Sequence, residues 1–210
     1  MPALPFFRVE LCNRLQFAPR TGPAADLSSL LVRDGPPVVE LVDAQVVRPL
    51  RRAVLRPQLP AGQSEYPADD DPQSAHVAVR LTGHLVEARA DARGAEVLAV
   101  GTVLLGPPPW EPRRVDGWRV RGMATRPDAR GRGLGGLVLR ALLDHVAAHE
   151  GGLVWCNARV PALGLYGRAG FVARGDVFDM PGIGPHMCMW RIVAPHPAPT
   201  DVHPRPPVPT

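Results

Sequence analysis

Apolar positions change their period several times along the chain. Val38-Val39-Glu40-Leu41-Val42 predicts a strand. Val46, Leu50, Val54 and Leu55 then recur at helical spacing, with Arg48, Arg51 and Arg52 on another face. That pattern predicts a helix capped by Asp43 and running to about Arg56. A polar loop covers 58–73. Strands are expected at 76–81 and 96–105, joined through Gly83 and Arg93-Gly94 and stopped by Pro107-Pro108-Pro109. A fourth strand is expected at 118–124 and a long helix at 133–149, its stripe formed by Leu134, Val138, Ala141, Leu142 and Val146. A strand at 153–157, a helix around 161–168 and strands near 171–178 and 187–193 complete the series. Antiparallel strands followed by strand–helix–strand–helix predict a mixed sheet in one α/β domain.

The ends of the chain follow a different pattern. Residues 1–35 read as an extension with one short strand signal at Phe6–Leu11, broken up by Thr21-Gly22-Pro23 and Asp34-Gly35-Pro36-Pro37. From Pro195 there are seven prolines in sixteen residues and no apolar period, which predicts a disordered or polyproline-like tail. The folded domain is therefore expected over 36–194.

Composition removes several kinds of chemistry. All 24 basic residues are arginine. Without lysine there is no Schiff base and no P-loop lysine. None of the four serines lies in G-x-S-x-G. Three scattered cysteines make no disulfide framework, and His186-Met187-Cys188 is poor ligand spacing, so no metal is expected. No apolar run approaches the ~18 residues of a bilayer span, and the first residues lack a leader pattern; a cytoplasmic protein with no membrane partner is expected. A net charge of +4 is too small to predict a nucleic-acid partner.

The stretch Arg130-Gly131-Arg132-Gly133-Leu134-Gly135-Gly136 sits between a predicted strand and a predicted helix. Glycines there let backbone N–H groups approach an anion, and the helix N-terminus favours negative charge. Gly131-x-Gly133-x-x-Gly136 also matches the dinucleotide fingerprint, but the following strand ends Trp155-Cys156-Asn157 without the required carboxylate.

Met123-Ala124-Thr125-x-Pro127-x-x-Arg130-Gly131-x-Gly133-Leu134-Gly135, followed by a long helix, resembles the acetyl-CoA site of the GCN5-related N-acetyltransferase (GNAT) superfamily. The family pattern Q/R-x-x-G-x-G/A is met by Arg130, Gly133 and Gly135. Downstream, Asn157, Tyr166 and Gly170-Phe171 match the family's N…Y-x-x-x-G-F segment, and the ending Gly175–Phe178 then Pro181–His186 looks like a bacterial branch. The resemblance covers roughly 36–194. It implies a GNAT fold: a mixed, mostly antiparallel sheet with splayed central strands flanked by helices.

The resemblance implies further that the backbone of Met123-Ala124-Thr125 pairs with the pantetheine arm of acetyl-CoA. The amides of Arg130, Gly131, Arg132, Gly133, Leu134 and Gly135 would meet its pyrophosphate, with Arg126, Arg130 and Arg132 adding charge. Asn157 would bind cofactor or substrate, and Tyr166 would act as general acid toward the departing thiolate. Many family members carry a glutamate base on the fourth strand, where this chain reads Trp118-Arg119-Val120-Arg121-Gly122-Met123. A base would then come from Glu65, Asp69, Asp70, Asp71, Asp179 or His186, or through water. The loop carrying Glu65, Tyr66, Asp69, Asp70 and Asp71 is expected to draw in a cationic amine. The expected activity is acetyl transfer from acetyl-CoA to a primary amine of a small molecule or peptide, by direct attack in a ternary complex. A catalytically silent acyl-CoA sensor of the same fold is the alternative, and a homodimer is left open.

Overall fold

The computed structural model describes residues 36–58, 66–81 and 96–197. The strand signal at Phe6–Leu11, Glu65, the Gly83 to Gly94 connection and the tail beyond residue 197 lie outside the described residues.

The elements run β1 (Pro37–Val42), α1 (Ala44–Leu55), β2 (Ala75–Leu81), β3 (Ala99–Leu105), β4 (Gly117–Thr125), α2 (Leu134–Ala148), β5 (Gly152–Arg159), α3 (Leu163–Arg168), β6 (Val172–Met180) and β7 (Gly184–Val193). The seven strands form one sheet in the order β1-β2-β3-β4-β5-β7-β6. Every neighbouring pair is antiparallel except β4 and β5, which run parallel because α2 carries the chain back across the sheet.

Each face of the sheet buries one main helix. The stripe Leu134, Val138, Leu139, Leu142 and Val146 of α2 packs on Val77, Val79, Val103, Val120 and Val154. On the opposite face, Val47 of α1 packs on Ala78, Val100 and Ala124. Full burial of each such aliphatic side chain stabilises by roughly 1.5–3 kcal/mol, so the larger α2 cluster dominates. Alternation along β2 shows the division: Val77 and Val79 face α2, while Ala78 faces α1. Among the described residues no helix is long and apolar enough to cross a membrane.

Some local expectations needed correction. Asp43 occupies the cap position of α1, but its side chain makes no cap hydrogen bond; its carbonyl accepts from the Val46 amide at 3.0 Å. Arg51 is buried rather than solvated, because Asp69 reaches it from the following loop. The helix expected at 161–168 is a 3-10 turn, Val160–Ala162, leading into the shorter α3, as Pro161 has no amide to donate. β7 begins at Gly184, three residues before the apolar signal, because its ladders with β5 and β6 extend that far.

Candidate active site

β4 and β5 share only three ladder pairs, Gly117↔Leu153, Trp118↔Val154 and Arg119↔Trp155. Beyond them β4 stays on β3, through Ala99↔Thr125, while β5 stays on β7, through Arg159↔His186. The two strands therefore diverge and leave a cleft of about 520 Å³. Its walls are residues 119–125 of β4, Asn157 and Arg159 of β5, and the far ends of α1 and α3. The edge of β4 that faces the cleft has no strand partner past Arg119, so its peptide groups are available to an extended ligand.

A bulge at Gly122 divides β4. Val100 pairs with Ala124 and Thr102 with Arg121, so two β4 residues stand opposite Gly101. Gly122 has φ +64°, and a Cβ there would lie 2.8 Å from Cδ of Arg51. Only glycine fits. The extra residue inverts the alternation: Trp118 and Val120 face α2 before it, and Met123 does so after it.

At the end of β4 the chain makes a 3-10 turn, Pro127–Ala129, and then the glycine turn into α2. Gly133 holds the N-cap position at φ +77°, where a β-carbon would be strained. Among the described residues, the amides of Gly131, Gly133, Leu134 and Gly135 donate to no backbone carbonyl. Leu134 itself is buried in the α2 core, so only its main chain belongs to the turn. Arg130 lines the cleft and its Nε donates to the Thr125 carbonyl at 3.4 Å. Arg126 does not add charge to this cradle, since it is ion-paired with Glu96 and, at 2.6 Å, with Asp128.

Tyr166 projects from α3, is buried, and packs edge-on against Phe171 with ring centres 5.5 Å apart. It lines the cleft, with its phenol beside the Cys156 thiol. Burial, with Cys156 beside it, pushes the phenol well above the usual tyrosine range, so it stays protonated. His186 is directly opposite Arg159 in the β5–β7 ladder, buried, and in the cleft wall. Its Nδ1 lies 2.7 Å from the Gly184 carbonyl, an acceptor, so Nδ1 carries the proton and Nε2 keeps the lone pair in the neutral ring. Asn157 stands between Trp155 and Arg159 on the same face of β5.

The sequence matches the profile of the Acetyltransferase (GNAT) family over residues 51–171, more than half of the chain. It belongs to the GNAT acetyltransferase family. This GNAT chain is an acyltransferase, and the donor its family uses is an acyl-CoA. It is 28% identical over 154 residues to the uncharacterized N-acetyltransferase YitI of Bacillus subtilis (strain 168), covering 73% of this chain and 94% of that one. In fold it is similar to an acyl-CoA N-acyltransferase from Pseudomonas aeruginosa, with 22% identity, TM-score 0.54, and 74% and 99% of the two chains covered. It is also similar to an aminoglycoside 6'-N-acetyltransferase complexed with coenzyme A, with 13% identity, TM-score 0.53, and 77% and 99% covered.

In this GNAT chain Asp69, Asp70 and Asp71 do not line the cleft. Asp69 is buried in an ion pair with Arg51, and its carboxylate also accepts from the Tyr66 amide at 3.1 Å. Asp70 pairs with Arg48 at 2.7 Å, and Asp71 accepts from the Gln73 amide at 2.8 Å within its own turn. His76 fixes the same loop, its Nε2 lying 2.8 Å from the Asp69 carbonyl and its Nδ1 2.8 Å from the Thr102 hydroxyl. The expected attraction of a cationic amine by Asp69, Asp70 and Asp71 is therefore corrected: none of them lines the cleft, and Asp69 and Asp70 are paired with Arg51 and Arg48. What that loop does deliver to the cleft is Tyr66, together with Arg119, Arg121 and Arg159 from the strands. In the sequence Arg119 and Arg121 register only as the lack of a carboxylate on the fourth strand, although their alternate positions on β4 put both on one face.

Proposed function

We propose that this GNAT chain transfers an acetyl group from acetyl-CoA to a primary amine by direct attack in a ternary complex. The observation that carries the reading is the divergence of β4 from β5, which puts the glycine turn, the unpaired β4 edge and Tyr166 on one cleft. Acetyl-CoA supplies the activated thioester. The amides of Gly131, Gly133, Leu134 and Gly135 hold its pyrophosphate, whereas the Arg130 amide, expected among them, already donates to the Pro127 carbonyl; the residues Met123, Ala124 and Thr125 offer main-chain groups to the pantetheine arm. A β4 amide stabilises the charge that develops on the thioester oxygen.

Two side chains move protons. Nε2 of His186 takes the proton of the attacking amine, and the phenol of Tyr166 returns one to the departing thiolate. They approach from different sides, because His186 shares its face with Arg159 while Tyr166 contacts Cys156, whose neighbours Val154 and Ala158 pack under α2. His186→Gln should lower kcat by about 10²-fold, the lower end of the range for general bases, since some amine arrives already deprotonated. The loss should shrink as pH is raised. A variant with unchanged kcat at every pH would remove His186 from the mechanism.

The reading itself is tested by screening amines with acetyl-CoA while following free thiol, and by Gly133→Glu. A side chain there is strained at φ +77° and stands where an anion must approach, so acetyl-CoA binding by calorimetry should be lost in a protein that still melts cooperatively. Unchanged affinity in the folded variant would move the donor site elsewhere.

A further inference from the structure

Arginines that pair with no carboxylate among the described residues line one half of the cleft. Arg119 and Arg121 are alternate residues of β4 and share the face turned toward α1. The Arg121 guanidinium lies 3.3 Å from the centre of the Tyr66 ring, whose other contact is Arg51 at 4.1 Å. The Arg119 guanidinium lies 4.7 Å from the centre of Trp155. Stacking fixes the plane of a guanidinium and leaves its N–H edges for a bidentate acceptor.

The charges of the three arginines are not equivalent. Arg51 is neutralised by Asp69. Arg119 and Arg121 form no ion pair among the described residues, and the buried Nε of Arg119 has no hydrogen-bond partner there. No Asp or Glu among the described residues lines the cleft, which Arg159 enters from β5. Burial lowers the affinity of both guanidinium groups for their protons; Tyr66 opposes this for both without outweighing it, and for Arg121 the charges of Arg119 and Arg51 add to the lowering. Half-buried like charges of this kind cost free energy that an anionic ligand would recover.

We propose that the amine acetylated here carries an oxyanion, a carboxylate or a phosphate group, bound by Arg119 and Arg121 while its amino group points to the β4–β5 opening. This rests on the acetyl-transfer reading above and adds the substrate class to it.

The test uses the full chain with acetyl-CoA and matched amines: β-alanine and alanine against their amides, phosphoethanolamine against ethanolamine, and spermidine as the cationic member. At least one oxyanion-bearing amine should be acetylated with kcat/KM tenfold or more above its neutral partner and above spermidine, and added salt should narrow the gap. Which pair shows the preference separates carboxylate from phosphate. Arg119→Gln and Arg121→Gln should each raise KM for that amine roughly ten- to a hundredfold, the worth of one charged hydrogen bond, with acetyl-CoA affinity within about twofold. If acetyl-CoA binds and only neutral or cationic amines react, this proposal falls and acetyl transfer stands. If both variants lose acetyl-CoA instead, the arginines serve the donor and the proposal also falls. Should no amine in the panel react, calorimetry with coenzyme A present decides, and equal affinity for N-acetyl-β-alanine and its amide overturns it. If acetyl-CoA does not bind the unaltered chain, both readings fall together.

Discussion

Tyr166→Phe is expected to lose about 10²–10⁴ in kcat while acetyl-CoA affinity stays within about twofold. The phenyl ring keeps its edge-on contact with Phe171, so the core around α3 should be unaffected. Only the hydroxyl is removed. That hydroxyl is held protonated by burial and by the Cys156 thiol, which is the form a proton donor to a thiolate must have. Because the proton moves only as the thiol departs, kcat and kcat/KM should fall together, as for an interaction made in the transition state alone. Single-turnover kinetics with the true acceptor separate this from slow product release. Wild-type single-turnover rates in the variant would leave Tyr166 as a core aromatic and nothing more.

Asp69→Asn is expected to destabilise the fold by about 3–5 kcal/mol, the cost of leaving one charge of a buried pair alone. The Asp69 side chain is fully buried, accepts from Nη1 of Arg51 at 2.8 Å, and is tied to the Tyr66 amide. Burial by itself would raise this carboxyl; hydrogen bonds from Arg51 and from the Tyr66 amide, with the Arg51 charge, outweigh it and hold the group below its ordinary value. A carboxyl lowered by folding gives stability that is present above its unfolded value of about 3.9 and lost as pH falls through the folded one. Urea unfolding at neutral pH should show the full loss. The gap between the parent and Asp69→Asn should begin to narrow only below the unfolded value of about 3.9, and should close once pH has fallen through the lower folded value, where the parent carboxylate is protonated as well. Equal midpoints at neutral pH would mean that solvent screens the pair. Arg51→Met with Asp69→Leu should recover much of the stability, because it removes both charges.

These predictions draw on different levels of legibility. The stripe of α2 and the alternation of β2 could be read because period is a local property and each element buries one face. The glycine turn could be read because amides at a helix start need nothing distant to make them available. The roles of Asp69 and Arg51 could not. They are 18 residues apart, each in a polar context that reads as solvated, and only the packing of loop 66–74 on α1 joins them. The same packing decides that Tyr66, rather than Asp69, Asp70 or Asp71, reaches the cleft. The Gly122 bulge was also hidden, because a lone glycine in a strand marks a bulge or a close approach equally well. Arg119 and Arg121 were noticed only as the absence of a carboxylate.

The residue inserted at Gly122 gives β4 two phases. Ahead of it the odd positions 119 and 121 turn toward α1; behind it the even position 124 does. Under the proposed chemistry the first phase meets the acceptor with side chains and the second meets the donor with main chain. Main-chain groups are the same whatever the residue, so substitution at 119 and 121 can rewrite what is acetylated without touching how the acetyl group is delivered. On that reading the Gly122 bulge is a seam within β4 between an interchangeable half of the site and an invariant one, and the acceptor would change by point substitution on one side of it.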